Sequence, residues 1–343
     1  MSDKLTVRKK YNLINAFRLI ASFFVIAIHV HFPGTAGNIV IDAARFAVPF
    51  FFMASGFFSF YGADTDVPKK ILNKIKNVLI PFLGAVVIYF VYHAVDEGVG
   101  VVAKRIFSSK SLLEFFVFND TTVSGHLWFL PALIYTYLVF FIFAKLKITD
   151  KVYFLIPVLF IAGVALKEII YYVKPASEIL REGYFCRNFI FLGLPFFLLG
   201  HYIKANEEKL INKLSNPVLI SMILLGTAEA ALVGSLHAQK SIYIGSFVAV
   251  FALFVFAIKN EDSIKTPHLS SWGEKYSLYI YIIHILIRDA INITAKYIPA
   301  FKSMCNKLTP VMPIIIFILS VIVSAIYFFA KNKVKKLTAK KKA

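Results

Sequence analysis

The chain has 343 residues, 59% of them hydrophobic and 16% aromatic, and carries 38 Lys and Arg against 19 Asp and Glu. A soluble domain is about 45–50% apolar, so the composition excludes an ordinary soluble globule and points to an all-α, polytopic integral membrane protein. Two cysteines, Cys186 and Cys305, exclude a disulfide-rich scaffold and a thiolate metal cluster; the eight histidines have no clustered ligand spacing, so no metal is expected.

Residues 1–12 are polar and carry Lys4, Arg8, Lys9 and Lys10. The stretch 13–31 follows, long enough to cross a bilayer. It is too long for a signal peptide and carries Arg18 within it. Further apolar stretches fall at 39–60, 78–93, 126–144, 152–171, 188–203, 217–236, 241–258, 277–295 and 311–330. Ten transmembrane helices are therefore predicted, each roughly 16–22 residues, enough to span ~30 Å of hydrocarbon directly or with modest thinning. Residues 112–118 are too short to span and are expected to lie in the interface or re-enter. Nothing separates 13–330 into more than one unit, and 331–343 form a basic tail that is solvated, lipid-facing or polybasic in role.

Orientation follows from the Lys and Arg between spans. With the N-terminus inside, 24 lie in cytoplasmic segments and 10 in external ones; Arg18, Arg45, Lys167 and Arg288 lie within spans. Both termini are thus predicted to be cytoplasmic. The net charge of +19 then reflects topology, and no nucleic-acid partner is implied.

The first span presents a polar stripe. A helix turns about 100° per residue, so the step from Arg18 to His29 returns nearly to the same azimuth, and Tyr11, Asn15 and Ser22 fall near that line. An intramembrane ionisable group is costly, which makes the aligned pair a functional candidate, the alternative being an Arg18 that snorkels to the nearer surface. Arg18 is placed in the inner third and His29 in the outer third, about 16 Å apart along the axis. The short connection at 32–38 returns Asp42 to the neighbourhood of His29, where it is expected to fix the imidazole's tautomer or else to pair with Arg45. His126, Trp128 and Arg187 sit at external ends of spans. His284 falls in the inner half of span nine, where packing is the ordinary role of a lone histidine. The two cysteines are expected near the external face as independent thiols.

These residues resemble a known family. Arg18, ten residues, then His29 matches the R-x10-H signature of the membrane acyltransferase-3 family, and RFAVPFFFMASGFF at 45–58 is similar to its second-helix motif. HLWFLPALIY (126–135), CRNFIFLGLPFFLLG (186–200) and SLYIYIIHILI (277–287) resemble later helices, so the likeness covers most of 10–330. The resemblance implies transfer of an acyl group, usually acetyl, from cytoplasmic acyl-CoA as co-substrate to a hydroxyl of a cell-envelope carbohydrate or similar acceptor outside a bacterial plasma membrane. It maps the family's functional pair onto Arg18 and His29 and its second-helix Arg onto Arg45. On physical grounds Arg18 and Arg45 are expected to bind the donor, and His29 to be the centre of the chemistry, base or transient acyl carrier, with Asp42 in support. His126, Trp128, Arg187 and His284 are candidates for substrate binding. Two segments also resemble the membrane domain of vancomycin-resistance-type serine racemases, linked to serine uptake. A transporter of a small polar solute such as an amino acid therefore stands as an alternative, with a glycan flippase or assembly factor behind it.

Overall fold

The computed structural model describes residues 10–62, 65–173, 184–185, 187–236 and 243–340. Among them the secondary structure is helical, with no strand. Eight helices or helix runs are long and apolar enough to cross a membrane, or nine if one bent pair counts as a span, and the apolar helix Ile244–Lys259 is shorter. Each of the ten predicted spans coincides with one of these helices.

α1 (Asn12–His29) is the central rod. Its first turn is held by a carboxylate from far along the chain: the Asn12 and Leu13 amides donate to Glu261 Oε1 and Oε2 at 2.6 and 2.8 Å. An anion at a helix N-terminus satisfies orphan donors and complements the helix dipole. Tyr11 donates to Glu207 at 2.7 Å, and Lys204 pairs with the same carboxylate. Burial, reinforced by Glu207, pushes the Tyr11 hydroxyl well above its ordinary range, so it remains a donor.

The second span, Gly34–Phe57, is a helix run with one tightened 3-10 turn inside it. α2 (Gly34–Ala43) and α3 (Ala47–Phe57) are separated by a tight turn, Ala44–Phe46, that carries Arg45. α4 (Val67–Glu97) begins well before its apolar part, because Asp66 caps it by accepting from the Lys69 amide at 3.1 Å and the intervening Lys, Asn and Leu residues continue a helix as readily in water as in lipid. α5 (Val99–Ile106) and α6 (Ser109–Phe118) are short. Leu112, Leu113, Phe116 and Val117 of α6 are exposed.

α7 (Phe129–Lys145) and α8 (Leu155–Val173) follow, then a π-helical turn, Phe189–Gly193, entering α9 (Leu194–Ala205). The chain bends by 83° into α10 (Glu207–Lys213). α11 (Asn216–Leu236), α12 (Ile244–Lys259), α13 (Pro267–Tyr297), the short α14 (Pro299–Leu308) and α15 (Met312–Lys340) complete the order. Lipid tails supply no hydrophobic drive between helices, so close backbone approach at small residues must help hold the bundle. A Cβ on Gly56 would lie 1.8 Å from Phe197 O, and one on Gly200 1.9 Å from Met53 O, so α3 and α9 seat against each other glycine to carbonyl. Gly273 does the same for α13 against α1, where a Cβ would meet Asn15 O at 1.8 Å. That contact sets α13 beside the polar stripe of α1 along its length.

Candidate active site

Two cavities lie at opposite ends of the α1 stripe. The inner one, about 920 Å³, runs between α4, α13 and α15. Its cytoplasm-facing end, by the charge count, carries Asn77, Glu274, Lys275 and Lys331, with Glu274 within electrostatic reach of Arg18; its walls rise through Pro81, Gly84, Tyr279 and Ser324 to Ile88 and Ile282. Arg18 opens into it. The guanidinium is poorly satisfied: it donates one long bond to Asn15 Oδ1 at 3.4 Å, and its buried Nε has no partner. A desolvated cation with spare donors is suited to an anionic or amide-rich ligand.

The outer cavity, about 260 Å³, is lined by His29, His31, Arg45, Trp128, Arg187 and Tyr281 among others. Four residues chosen from separate places in the sequence, His29, Arg45, Trp128 and Arg187, thus share one pocket. Asn119, fully buried in a left-handed conformation (φ 55°), places Arg187. Its amide nitrogen donates to Arg187 O at 3.1 Å and its Oδ1 accepts from the Phe189 amide at 2.9 Å.

Between the cavities is a layer of three imidazoles. The ring of His29 lies 5.3 Å from that of His284 and 6.3 Å from that of His126, and His126 and His284 are 5.2 Å apart, centroid to centroid. His126 is held at both nitrogens: Nδ1 pairs with Ser124 Oγ at 2.8 Å, and Nε2 lies 3.3 Å from both Ile282 O and Tyr89 Oη. Tyr89 also donates to Ile282 O at 2.9 Å, and Tyr281 donates to His126 O. His284 differs. Its Nδ1 faces two carbonyl oxygens, Tyr281 O at 2.7 Å and Ile280 O at 3.2 Å, so that nitrogen carries the proton. Its Nε2 is then a lone pair, fully buried and without a partner, beside His29. Among the described residues no group of three or more His, Cys, Asp or Glu is arranged to hold a metal ion.

Three expectations need correction. Asp42 does not meet His29. It is buried against α11, accepting from Tyr243 at 2.7 Å, and Gly234 leaves the space for it, since a Cβ there would fall 2.2 Å from the carboxylate. Arg45, on the turn Ala44–Phe46, lines the outer cavity, so it does not share a site with Arg18. His284 is level with His29, because α13 starts ten residues before its apolar run and packs along α1 with the two helices in the same direction. Cys305 is a free thiol beside a second outer cavity; Cys186 lies outside the described residues. Tyr89, Tyr281, His31 and Asn119 carry no sequence signal that separates them from packing residues.

The fold and site define a multi-pass membrane protein with a polar centre reached from both faces. The acyltransferase-3 family model, described as an acyltransferase domain, matches residues 11–329, and the chain belongs to that family. A serine/alanine racemase of Enterococcus gallinarum is 28% identical over 292 residues, 79% of this chain and 40% of the relative. Two amino-acid racemases of Enterococcus faecalis are 25% identical over 333 residues (89% of this chain, 45% of the relative) and 30% identical over 223 (60% and 30%). The chain thus spans less than half the length of the curated relatives it matches. No solved structure matches.

Proposed function

We propose that the protein is a bacterial plasma-membrane O-acyltransferase that moves an acetyl or similar acyl group from cytoplasmic acyl-CoA to a hydroxyl of an envelope carbohydrate. The observation that carries this reading is the arrangement on α1: Arg18 in the inner cavity, His29 in the outer one, and the imidazole layer between. Acyl-CoA enters the groove between α4, α13 and α15, with its anionic and amide groups against Arg18, Lys275 and Lys331. The acceptor enters from outside. His29 takes the hydroxyl proton as the acceptor oxygen attacks the thioester carbon; the C–O bond forms, the C–S bond breaks, and the proton passes from His29 to the leaving thiolate. His284, with its proton fixed on Nδ1, offers Nε2 to an N–H of His29 and takes the orienting role expected of Asp42. Arg45 and Arg187 stand where negative charge develops on the thioester oxygen.

A second reading, transport of a small polar solute, is favoured by the same pair of oppositely facing cavities and by relatives whose names point to amino acids. Purified protein in proteoliposomes, given labelled acetyl-CoA on the Arg18 side and an envelope fraction on the other, separates the two. Protein-dependent label on the acceptor supports the enzyme. Counter-ion-driven uptake of labelled serine with no acyl transfer overturns it.

A further inference from the structure

A further cavity adjoins the pocket around His29. His31 also lines a second cavity of about 480 Å³, enclosed by the outer ends of α1 and α13, by α14 and by the start of α15. The floor and rim of this extension carry Lys296 and Lys302 beside the neutral donors and acceptors Asn292, Asn306 and Thr309. α14, which forms one wall, has no buried residue of its own, so its Lys302 and Asn306 are held over the cavity without being committed to the core. Among the described residues lining the two cavities there is no aspartate or glutamate; Arg45 and Arg187 have Asp42 and Asp120 within electrostatic reach behind the lining, so the positive character of the outer part is carried by Lys296 and Lys302. Asp289, the acid on the adjoining face of α13, is engaged by Arg288 at 2.7 Å.

A cleft lined by one sign of charge between low-dielectric walls focuses its field and concentrates ligands of the opposite sign. Charge complementarity therefore speaks to the acceptor, a matter on which the donor chemistry is silent. The lysines cost the protein something where they are, because Lys and Arg in short translocated loops oppose the topology that the rest of the chain sets. The sizes also fit a division of the ligand: the pocket at His29 is small, and the extension beyond His31 is larger and more open.

We propose that the acceptor is an anionic glycan at least two units long, its reactive hydroxyl in the pocket at His29 and a carboxylate or phosphate of the next unit on the shelf formed by Lys296 and Lys302. This rests on the outer cavity being the acceptor side, as the preceding reading has it, but it concerns binding and is tested without transfer. The full-length protein, in nanodiscs of neutral phosphatidylcholine, is titrated with a galacturonic acid trisaccharide, a glycerol-phosphate trimer, and maltotriose as the uncharged control. At least one anionic probe should bind tenfold or more tighter than maltotriose, and which one does so names the anion. The Lys296→Ser/Lys302→Ser double variant should lose most of that preference, and the preference should shrink as salt rises. A thermal unfolding midpoint unchanged from wild type reports that the variant is folded. Equal binding of charged and neutral probes overturns the proposal, as does a preference that the double variant retains. So does a preference for phosphatidylglycerol nanodiscs over any glycan, which would make the lysines lipid contacts. Anionic binding with no acyl transfer to any probe leaves this inference standing and counts against the enzyme reading instead.

Discussion

The inner and outer cavities are built on the same helix and differ in almost every other respect. The inner one is a long, mostly apolar groove with helix walls from α4, α13 and α15, charged at Arg18 and at the end that carries Glu274, Lys275 and Lys331. The outer one is small and ringed by Arg45, Arg187, His29, Trp128 and Tyr281, drawn from turns and helix ends as well as from helix interiors. The contrast teaches how one rod can serve two solvents. A groove of helix faces suits a long flexible arm whose contacts are spread along its length, whereas turns can aim several cationic groups at one point.

The largest effect is expected at the boundary between the two. His29→Ala should reduce acyl transfer by roughly 10²–10⁴ while leaving acyl-CoA binding within a few-fold. His29→Gln, which keeps a hydrogen bond but cannot carry the proton, should be nearly as inactive. His284→Gln should lower kcat by an amount on the order of 10–100-fold, the usual scale for a residue that orients another, with both KM values unchanged. Steady-state kinetics on purified variants decide this; normal transfer by His29→Ala would remove the chemistry from the layer and favour transport.

The inner side should respond in affinity instead of turnover. Arg18→Ala is expected to weaken acyl-CoA binding by about tenfold or more, and Arg18→Lys to recover only part of it, because an ammonium cannot reproduce the guanidinium fork. Calorimetric titration of acetyl-CoA measures it, and a loss confined to kcat would place Arg18 in the chemistry after all. Gly84 sharpens the same comparison. It sits inside α4, where glycine costs about 1 kcal/mol relative to alanine, and a Cβ there would meet nothing within 4 Å. The position is open space in the groove wall. Gly84→Leu should raise KM for acyl-CoA about tenfold without changing kcat, while Gly84→Ala should bind near normally and be slightly more stable. Unchanged KM in the leucine variant would move the donor out of this groove.

The smallest effect on catalysis is expected at Asp42. Asp42→Ala removes the acceptor of the Tyr243 hydrogen bond and should lower stability by roughly 1.5–3 kcal/mol, the range for a bond to a charged group, with kcat and KM near wild type. Thermal unfolding alongside kinetics tests this. A fall in kcat with unchanged stability would restore Asp42 as the partner of His29.

What the sequence by itself determined is the part of the protein governed by local and one-dimensional physics. Apolar stretches long enough for hydrocarbon locate the membrane-crossing helices, because transfer free energy depends on residues near one another in the chain. The alignment of Arg18 with His29 is likewise a property of a single helix. Tertiary structure alone decided which groups face those two. Asp42 is close to His29 in sequence, yet the space left by Gly234 admits it against a distant helix, where it accepts from Tyr243. His284 is far from His29 in sequence, yet the close approach of Gly273 to α1 runs α13 alongside the stripe and brings the rings to 5.3 Å. Helix periodicity tells which face a residue occupies, but which helix lies opposite is set by small residues and backbone contacts between distant segments, and no local pattern encodes that pairing.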